Sequence, residues 1–178
     1  MASMREIRTR MKSIQDTMKI TNAMYLVSSS KLKKAKKNLA ATEPYFNELQ
    51  STLHDIIEHT TDFSYTYFDK RETIKPEDRK IGFVVMTADK GLAGAYNHNI
   101  LKLAEEKISQ CNGKVTVFNI GIVGNRYFEK KENITLDTTY TYYGSSPYMY
   151  KVRDIADRIV EMYDNGELDE VYVVYTRM

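Results

Sequence analysis

The stretch TADKGLAGAYN, residues 87–97, carries two glycines between a buried apolar run and a helical pattern. In open α/β folds, such a connection binds phosphates through backbone N–H groups and the N-terminus of the following helix. Gly91 and Gly94 do not complete a GxGxxG pattern, however, and no Gly-Lys-Ser/Thr follows them. The pattern therefore favours a turn whose glycines permit close packing, with a nucleotide-binding α/β module as the alternative.

The other residues capable of chemistry lack the neighbours that the chemistry needs. Gly124 and Arg126 follow an apolar run and could bind an anion, but glycines in such a connection more often serve only to form a turn. His54 and Glu58 lie one helical turn apart without a third metal ligand, and Cys111 has no histidine near it in sequence. The sequence predicts no catalytic residue, no metal site and no cofactor.

Five tyrosines surround a Gly-Ser-Ser-Pro turn between residues 140 and 150. They are Tyr140, Tyr142, Tyr143, Tyr148 and Tyr150. Aromatic side chains in such a cluster can stack on bases or contact a protein. Because no Lys or Arg alternates with them, the pattern favours a protein interface or a cover over a sheet.

Residues 1–60 carry apolar and small residues in alternating steps of three and four, which is typical of a coiled-coil helix. This stripe, the seam, consists of Met4, Ile7, Met11, Ile14, Met18, Thr21, Tyr25, Ser28, Leu32, Ala35, Leu39, Thr42, Phe46, Leu49, Leu53 and Ile56. Pro44 removes one backbone N–H from the pattern, so we expect one bent helix rather than two separate ones.

The charge of the chain is unevenly distributed. Residues 1–40 hold ten Lys and Arg against two acidic residues, although the whole chain carries only +2. Such asymmetry indicates an acidic partner, whether nucleic acid, membrane surface or protein. The seam runs through the lysines of residues 31–37, unlike a DNA-binding basic region, and small residues such as Ser28 and Ala35 suit close helix contact. A helical partner is favoured, and a nucleic-acid-binding coiled coil is the alternative.

The remaining residues predict a second architecture. Residues 61–80 are polar and charged and predict a linker. Residues 81–178 predict an α/β domain with a three-layer, Rossmann-like fold, in which helices cover both faces of a mostly parallel sheet. The predicted strands are 81–87, 114–120, 135–140 and 170–176, and the predicted helices are 99–111, 123–131 and 148–163. No apolar run approaches the roughly 20 residues that span a bilayer, so we expect no transmembrane segment.

Three segments of the chain resemble a known family. REIRTRMKSIQDTMKITNAMYLVSSSKLKKA, residues 5–35, resembles the amino-terminal shaft helix of the gamma subunit of F-type ATP synthases. TADKGLAGAYNHNI resembles the motif after the first strand of that family's α/β domain, and VYVVYTRM resembles a later strand. The resemblance implies a noncatalytic rotor subunit that couples ion-driven rotation of a membrane ring to conformational change at the catalytic sites of an alpha/beta hexamer.

The resemblance also implies partners and a location. The partners would be the alpha and beta subunits, the epsilon subunit and the membrane ring of c subunits, with no nucleic acid. The complex would lie peripherally at the cytoplasmic face of a bacterial cell membrane. The shaft residues facing the catalytic subunits would be Lys19, Ile20, Ala23, Met24, Val27 and Lys31.

The family's carboxy-terminal helix, which pairs antiparallel with the shaft helix, has no counterpart in the 178 residues. Truncation or cleavage would explain this. We therefore expect the seam to lack its partner at Met4, Ile7, Met11, Ile14, Met18, Leu32 and Leu39. The chain should then self-associate through this helix or leave residues 1–40 disordered.

Overall fold

A computed structural model describes residues 3–59, 67, 69, 71–143 and 148–177. The chain divides into two compact units, Met1–Phe63 and Ser64–Met178. The first unit contains helix α1 (Met4–His59). The second contains β1 (Lys80–Met86), α2 (Tyr96–Ser109), β2 (Lys114–Ile120), α3 (Ile122–Phe128), β3 (Thr135–Asp137), α4 (Met149–Asp164) and β4 (Glu170–Val174).

Helix α1 runs without interruption for 56 residues. Several Thr residues lie in it, and their hydroxyls bond back to the preceding turn, as when Thr17 Oγ1 donates to the Ser13 carbonyl at 2.8 Å. These polar side chains therefore remain compatible with a helix. Pro44 lies inside α1 without ending it, which confirms one helix rather than two.

The four strands form one parallel sheet in the order β3-β2-β1-β4. The pairing of β1 with β2 starts at Lys80↔Lys114, and the pairing of β1 with β4 starts at Ile81↔Glu170. The chain moves outward from β1 through β2 to β3 and then returns past β1 to β4. Because parallel crossovers are right-handed, this reversal places α2 and α3 on one face of the sheet and α4 on the other.

Side chains along β1 alternate between two cores, one on each face of the sheet. The core beneath α2 and α3 contains Ile81, Phe83, Val85, Ile100, Leu101, Ala104, Val115, Val117, Phe128 and Val174. The core beneath α4 contains Val84, Phe118, Ile120, Tyr140, Ile155 and Leu168. The predicted three-layer α/β fold with a long amino-terminal helix is confirmed.

The predicted element ends needed correction. The strand predicted at 135–140 stops at Asp137, because its carboxylate accepts the Thr139 N–H at 2.9 Å and begins a turn. The helix predicted at 99–111 begins earlier, at Tyr96, and ends at Ser109, where the Gln110 N–H bonds back to Lys107. The predicted helix 123–131 is Ile122–Phe128, and the strand predicted to end at residue 176 ends at Val174. The segments predicted at 81–87 and 148–163 are displaced by one residue, and 114–120 is correct.

No helix among the described residues combines the length and the apolar content that a membrane crossing requires.

Candidate partner-binding surface

The seam of α1 is exposed along its whole length. Its large apolar side chains at Met4, Ile7, Met11, Ile14, Met18, Leu32 and Leu39 expose between 42% and 70% of their surface. Their average spacing of 3.5 residues forms one stripe along the helix, which winds slowly around it by about 20° per heptad. An exposed stripe of apolar and small side chains of this kind is a surface on which another helix can pack.

The residues assigned to shaft contacts by resemblance form a second stripe. All six are exposed: Lys19, Ile20, Ala23, Met24, Val27 and Lys31. Ile20, Met24 and Val27 follow one another at helical spacing, roughly 100° around the helix from the seam. A helix packed on the seam would therefore leave this second stripe open to another partner.

The turn after β1 is shaped by backbone conformation. Gly94 has a positive φ of 57°, and a β-carbon added at Gly91 would meet no atom within 4 Å. The interpretation that these glycines permit close packing is therefore wrong. Asn97 Oδ1 accepts the Ala88 N–H at 2.9 Å and ties the turn to α2. Asp89 in the same turn has one buried carboxylate oxygen without a hydrogen bond among the described residues, so the turn already holds one anionic group.

The turn after β2 is packed too tightly for a ligand. A β-carbon at Gly121 would lie 2.3 Å from the Thr87 carbonyl oxygen, and one at Gly124 would lie 2.0 Å from Asn119 Oδ1. Asn119 Nδ2 donates to Asn125 Oδ1 at 2.7 Å within this buried network. The anion site considered from the sequence is thus occupied by the protein's own polar groups.

The remaining candidate catalytic and metal-binding residues do not lie together in one site. His54 Nε2 lies 3.2 Å from Glu58 Oε1 in an exposed pair, and Arg126 is exposed. Cys111 Sγ donates to the Lys107 carbonyl at 3.3 Å, and burial raises the pKa of this thiol, which disfavours the nucleophilic thiolate. In the part of the chain that the structure describes, no three His, Cys, Asp or Glu residues lie together as a metal site would require.

The tyrosine cluster divides into a buried and an exposed part. Tyr140 is buried beneath α4 and lies edge-on to Tyr143, with ring centroids 5.3 Å apart. Tyr143 donates its hydroxyl hydrogen to Asp154 at 2.6 Å, and this bond raises the pKa of Tyr143 to about 12. Tyr148 and Tyr150 stack at 5.9 Å and are exposed. The turn between the two parts lies outside the described residues.

Arg71 and Arg79 form an arginine clamp with Asp169 and Glu170, which no sequence pattern predicted. The Arg71 guanidinium donates to Asp169 Oδ1 at 2.5 Å and to the carbonyls of Leu168 and Tyr163, each at 2.7 Å. The Arg71 and Asp169 side chains are only 13% and 5% exposed. Residues 71–80, predicted to be part of a linker, are therefore anchored to the turn before β4.

The charge of Asp169 depends on this anchor. Burial alone would raise the pKa of the Asp169 carboxyl, but the hydrogen bonds from the Lys80 N–H and from Arg71 outweigh it and lower that pKa. Arg79 pairs with the adjacent Glu170. Arg71 and Asp169 are 98 residues apart, so no local pattern could have revealed the contact.

Comparison with known proteins identifies the family. The family model described as ATP synthase matches residues 3–178. The ATP synthase gamma chain of Ruminiclostridium cellulolyticum is 42% identical over 176 residues, which is 99% of this chain and 59% of the relative. The chain belongs to the ATP synthase gamma-chain family.

Other gamma chains show the same coverage. The gamma chain of Caldanaerobacter subterraneus subsp. tengcongensis is 39% identical over 98% of this chain and 58% of its own length. A sodium-ion-specific gamma chain from Acetobacterium woodii is 33% identical over 98% of this chain and 56% of its own length. The chain thus spans less than two thirds of the length of these curated relatives. The match extends through both the exposed helix and the α/β domain.

Proposed function

We propose that the chain is a central rotor stalk subunit of an F-type ATP synthase. It couples ion-driven rotation of a membrane ring to conformational change at catalytic sites on alpha and beta subunits. The observation that carries this proposal is α1, an unbroken helix of 56 residues with an open apolar seam, in a chain of the gamma-chain family. At about 1.5 Å per residue, such a helix is about 84 Å long, which suits a shaft.

Two faces of α1 have different roles in this proposal. The seam packs against another helix and stiffens the shaft. The stripe with Ile20, Met24 and Val27, flanked by Lys19, Ala23 and Lys31, contacts the moving parts of the catalytic subunits. The basic residues of α1 attract acidic surfaces only weakly, because an exposed ion pair contributes about 0–1 kcal/mol. Weak and replaceable contacts let a shaft turn.

The α/β domain contacts an epsilon subunit and a ring of c subunits. The complex lies peripherally on the cytoplasmic face of a bacterial cell membrane. We assign no catalytic step to this chain, because its candidate residues for chemistry do not lie together and Cys111 is engaged in a local hydrogen bond. Protons or sodium ions drive the rotation, and catalysis takes place on the alpha and beta subunits.

Co-expression with the alpha and beta subunits from the same organism tests this proposal. The tagged chain should retain both subunits during purification, and it should stimulate their ATP hydrolysis. Replacing Met24 and Val27 by Asp should abolish retention, since both side chains are exposed on the stripe. A matched control with Gln at the exposed lysines Lys33 and Lys34 should keep both partners.

Failure of the wild-type chain to retain alpha and beta subunits would contradict the proposal, as would equal retention by both variants. The nucleotide-binding alternative makes a different prediction. Calorimetry on the isolated chain would then show ATP binding at micromolar affinity that a Gly91 substitution abolishes. We expect no such heat.

A further inference from the structure

Asparagine precedes glycine at two places in the α/β domain, Asn112-Gly113 and Asn165-Gly166. Such a pair can react without an enzyme, because glycine has no side chain to shield its own backbone nitrogen from the preceding asparagine. The two pairs are alike in exposure, since both asparagines are exposed and both glycines are half-buried. They differ in how the structure holds the glycine nitrogen, which is the atom that reacts.

The Asn165-Gly166 pair is fixed by hydrogen bonds at the end of α4. The Gly166 N–H donates to the Tyr163 carbonyl at 3.1 Å, and the Asn165 N–H donates to the Glu161 carbonyl at 3.0 Å. The Gly166 carbonyl in turn accepts a hydrogen bond from Lys80 Nζ at 2.7 Å. The Gly166 nitrogen can attack the Asn165 side chain only after its own hydrogen bond breaks, and the other two oppose the rotation that the attack requires.

The Asn112-Gly113 pair lies in the turn between α2 and β2, where the glycine nitrogen is not held in this way. No backbone carbonyl of the residues that the structure describes accepts a hydrogen bond from the Gly113 N–H. Packing nevertheless requires glycine here, because a β-carbon at residue 113 would lie 2.1 Å from the Arg79 carbonyl oxygen. The fold therefore keeps, directly after Asn112, the residue type that leaves its nitrogen unshielded.

We propose that Asn112 is a site of spontaneous deamidation, at which the chain converts to aspartate and isoaspartate. The Gly113 nitrogen forms a bond to Asn112 Cγ, and the bond between Cγ and Nδ2 breaks. The proton that the Gly113 nitrogen loses leaves with Nδ2 as ammonia. Water then opens the resulting succinimide ring at either carbonyl, which gives aspartate or, with the backbone running through the β-carbon, isoaspartate.

Isoaspartate at residue 112 disturbs the packing around Gly113, because its backbone is longer by one carbon. The Lys114 N–H donates to the Arg79 carbonyl at 2.8 Å, and Gly113 lies against the same carbonyl. A methylene added just before these contacts displaces Gly113 from a place without spare room. Since Arg79 pairs with Glu170, the displacement loosens both the start of β2 and the arginine clamp. Aspartate keeps the ordinary backbone and adds only a charge at an exposed residue.

Incubation of the folded full-length chain in heavy-oxygen water tests the proposal. Opening of the succinimide incorporates one solvent oxygen, so peptide mass spectrometry after digestion in ordinary water detects only the sites that reacted during the incubation. Label should appear at Asn112 about tenfold faster than at Asn165, since the reaction at Asn165 must first break hydrogen bonds. Asn112→Gln should remove the label at residue 112 and leave the rate at Asn165 unchanged.

Unfolding separates the effect of the structure from that of the sequence. In guanidinium chloride the two pairs should react at similar rates, because the hydrogen bonds that protect Asn165 are gone. Four results would each overturn the proposal: no label at Asn112 in the folded chain, equal labelling of the two sites, faster labelling of Asn165, or a tenfold ratio that persists in the denaturant.

The stability of the deamidated chain tests the consequence for packing. The deamidated chain, separated from the parent by ion exchange, should unfold at a lower urea concentration than Asn112→Asp. This variant is the matched control, because it carries the same added charge on an ordinary backbone. Equal midpoints would overturn the displacement of Gly113 from the Arg79 carbonyl.

Discussion

Replacement of Arg71 by Ala probes how the arginine clamp holds residues 71–80 against the turn before β4. The substitution removes three hydrogen bonds, to Asp169 Oδ1 and to the carbonyls of Leu168 and Tyr163. It also leaves the Asp169 carboxylate, whose side chain is 5% exposed, without its cation. We expect the α/β domain to be strongly destabilised.

The size of the effect follows from these contacts. Removing one partner of a buried ion pair costs about 3–5 kcal/mol. Asp169 retains a hydrogen bond from the Lys80 N–H at 2.8 Å, and Arg71 is slightly exposed, so the lower end of that range, about 3 kcal/mol, is expected. Small domains are stable by only about 5–15 kcal/mol, so this is a large fraction of the total.

Urea unfolding followed by tyrosine circular dichroism measures this loss. The signal reports the α/β domain, because only Tyr25 and Tyr45 of the 14 tyrosines lie in α1. With a slope of about 1–3 kcal/mol per molar urea, the midpoint should fall by about 1–3 M. Arg158→Ala is the control, since its pair with Glu161 at 3.5 Å is exposed and contributes at most about 1 kcal/mol. Equal midpoints for the two variants would refute the reasoning.

The same contact predicts a pH dependence. The folded pKa of Asp169 is lower than its ordinary value of about 3.9, so its contribution is present above that value and is lost as the pH falls through the folded pKa. The difference in unfolding free energy between wild type and Asp169→Asn should be constant between about pH 7 and pH 5 and should shrink below about pH 4. A difference that persists undiminished at acidic pH would contradict this assignment.

Two further predictions concern the glycines and the tyrosines. Gly124→Ala should destabilise the domain by about 1–3 kcal/mol, because its β-carbon would lie 2.0 Å from Asn119 Oδ1, whereas Gly91→Ala should change stability by less than about 0.5 kcal/mol. Equal urea midpoints for these two variants would show that the turn relaxes freely. In an ultraviolet titration, the wild type should form one phenolate near pH 12 that is missing in Tyr143→Phe, and Asp154→Asn should lower that midpoint towards about 10. A Tyr143 midpoint near 10 in the wild type would argue against the hydrogen bond.

The candidate surface was predictable because it lies on one helix. The positions of Met4, Leu32 and Ile56 on a common stripe follow from the heptad spacing alone, and the structure has one helix across all of them. The two faces of the sheet were predictable for a similar reason, since strands and helices alternate along the chain and crossovers are right-handed. Pro44 was correctly interpreted as compatible with one helix.

The ends of elements and the roles of glycines were harder to predict. Asp137 ends β3 by accepting a hydrogen bond from the Thr139 N–H. Whether this bond forms depends on the conformation of the Asp137 side chain. In the sequence, the pair Gly91 and Gly94 resembles the pair Gly121 and Gly124. Only at Gly121 and Gly124 do other atoms occupy the space that a β-carbon would need. Whether a glycine is needed for space depends on what approaches it from elsewhere in the chain.

The sequence by itself determined the long helix, its seam, the α/β class and the family, because each depends on periodicity or on residues that are close together in the chain. Only the tertiary structure decided which polar residues are buried together. Arg71 meets Asp169 across 98 residues, and the Gly124 N–H reaches Thr87 Oγ1 across 37 residues only when the turns after β1 and β2 approach each other. Contacts between distant segments arise from the packing of the whole domain, and no local pattern encodes them.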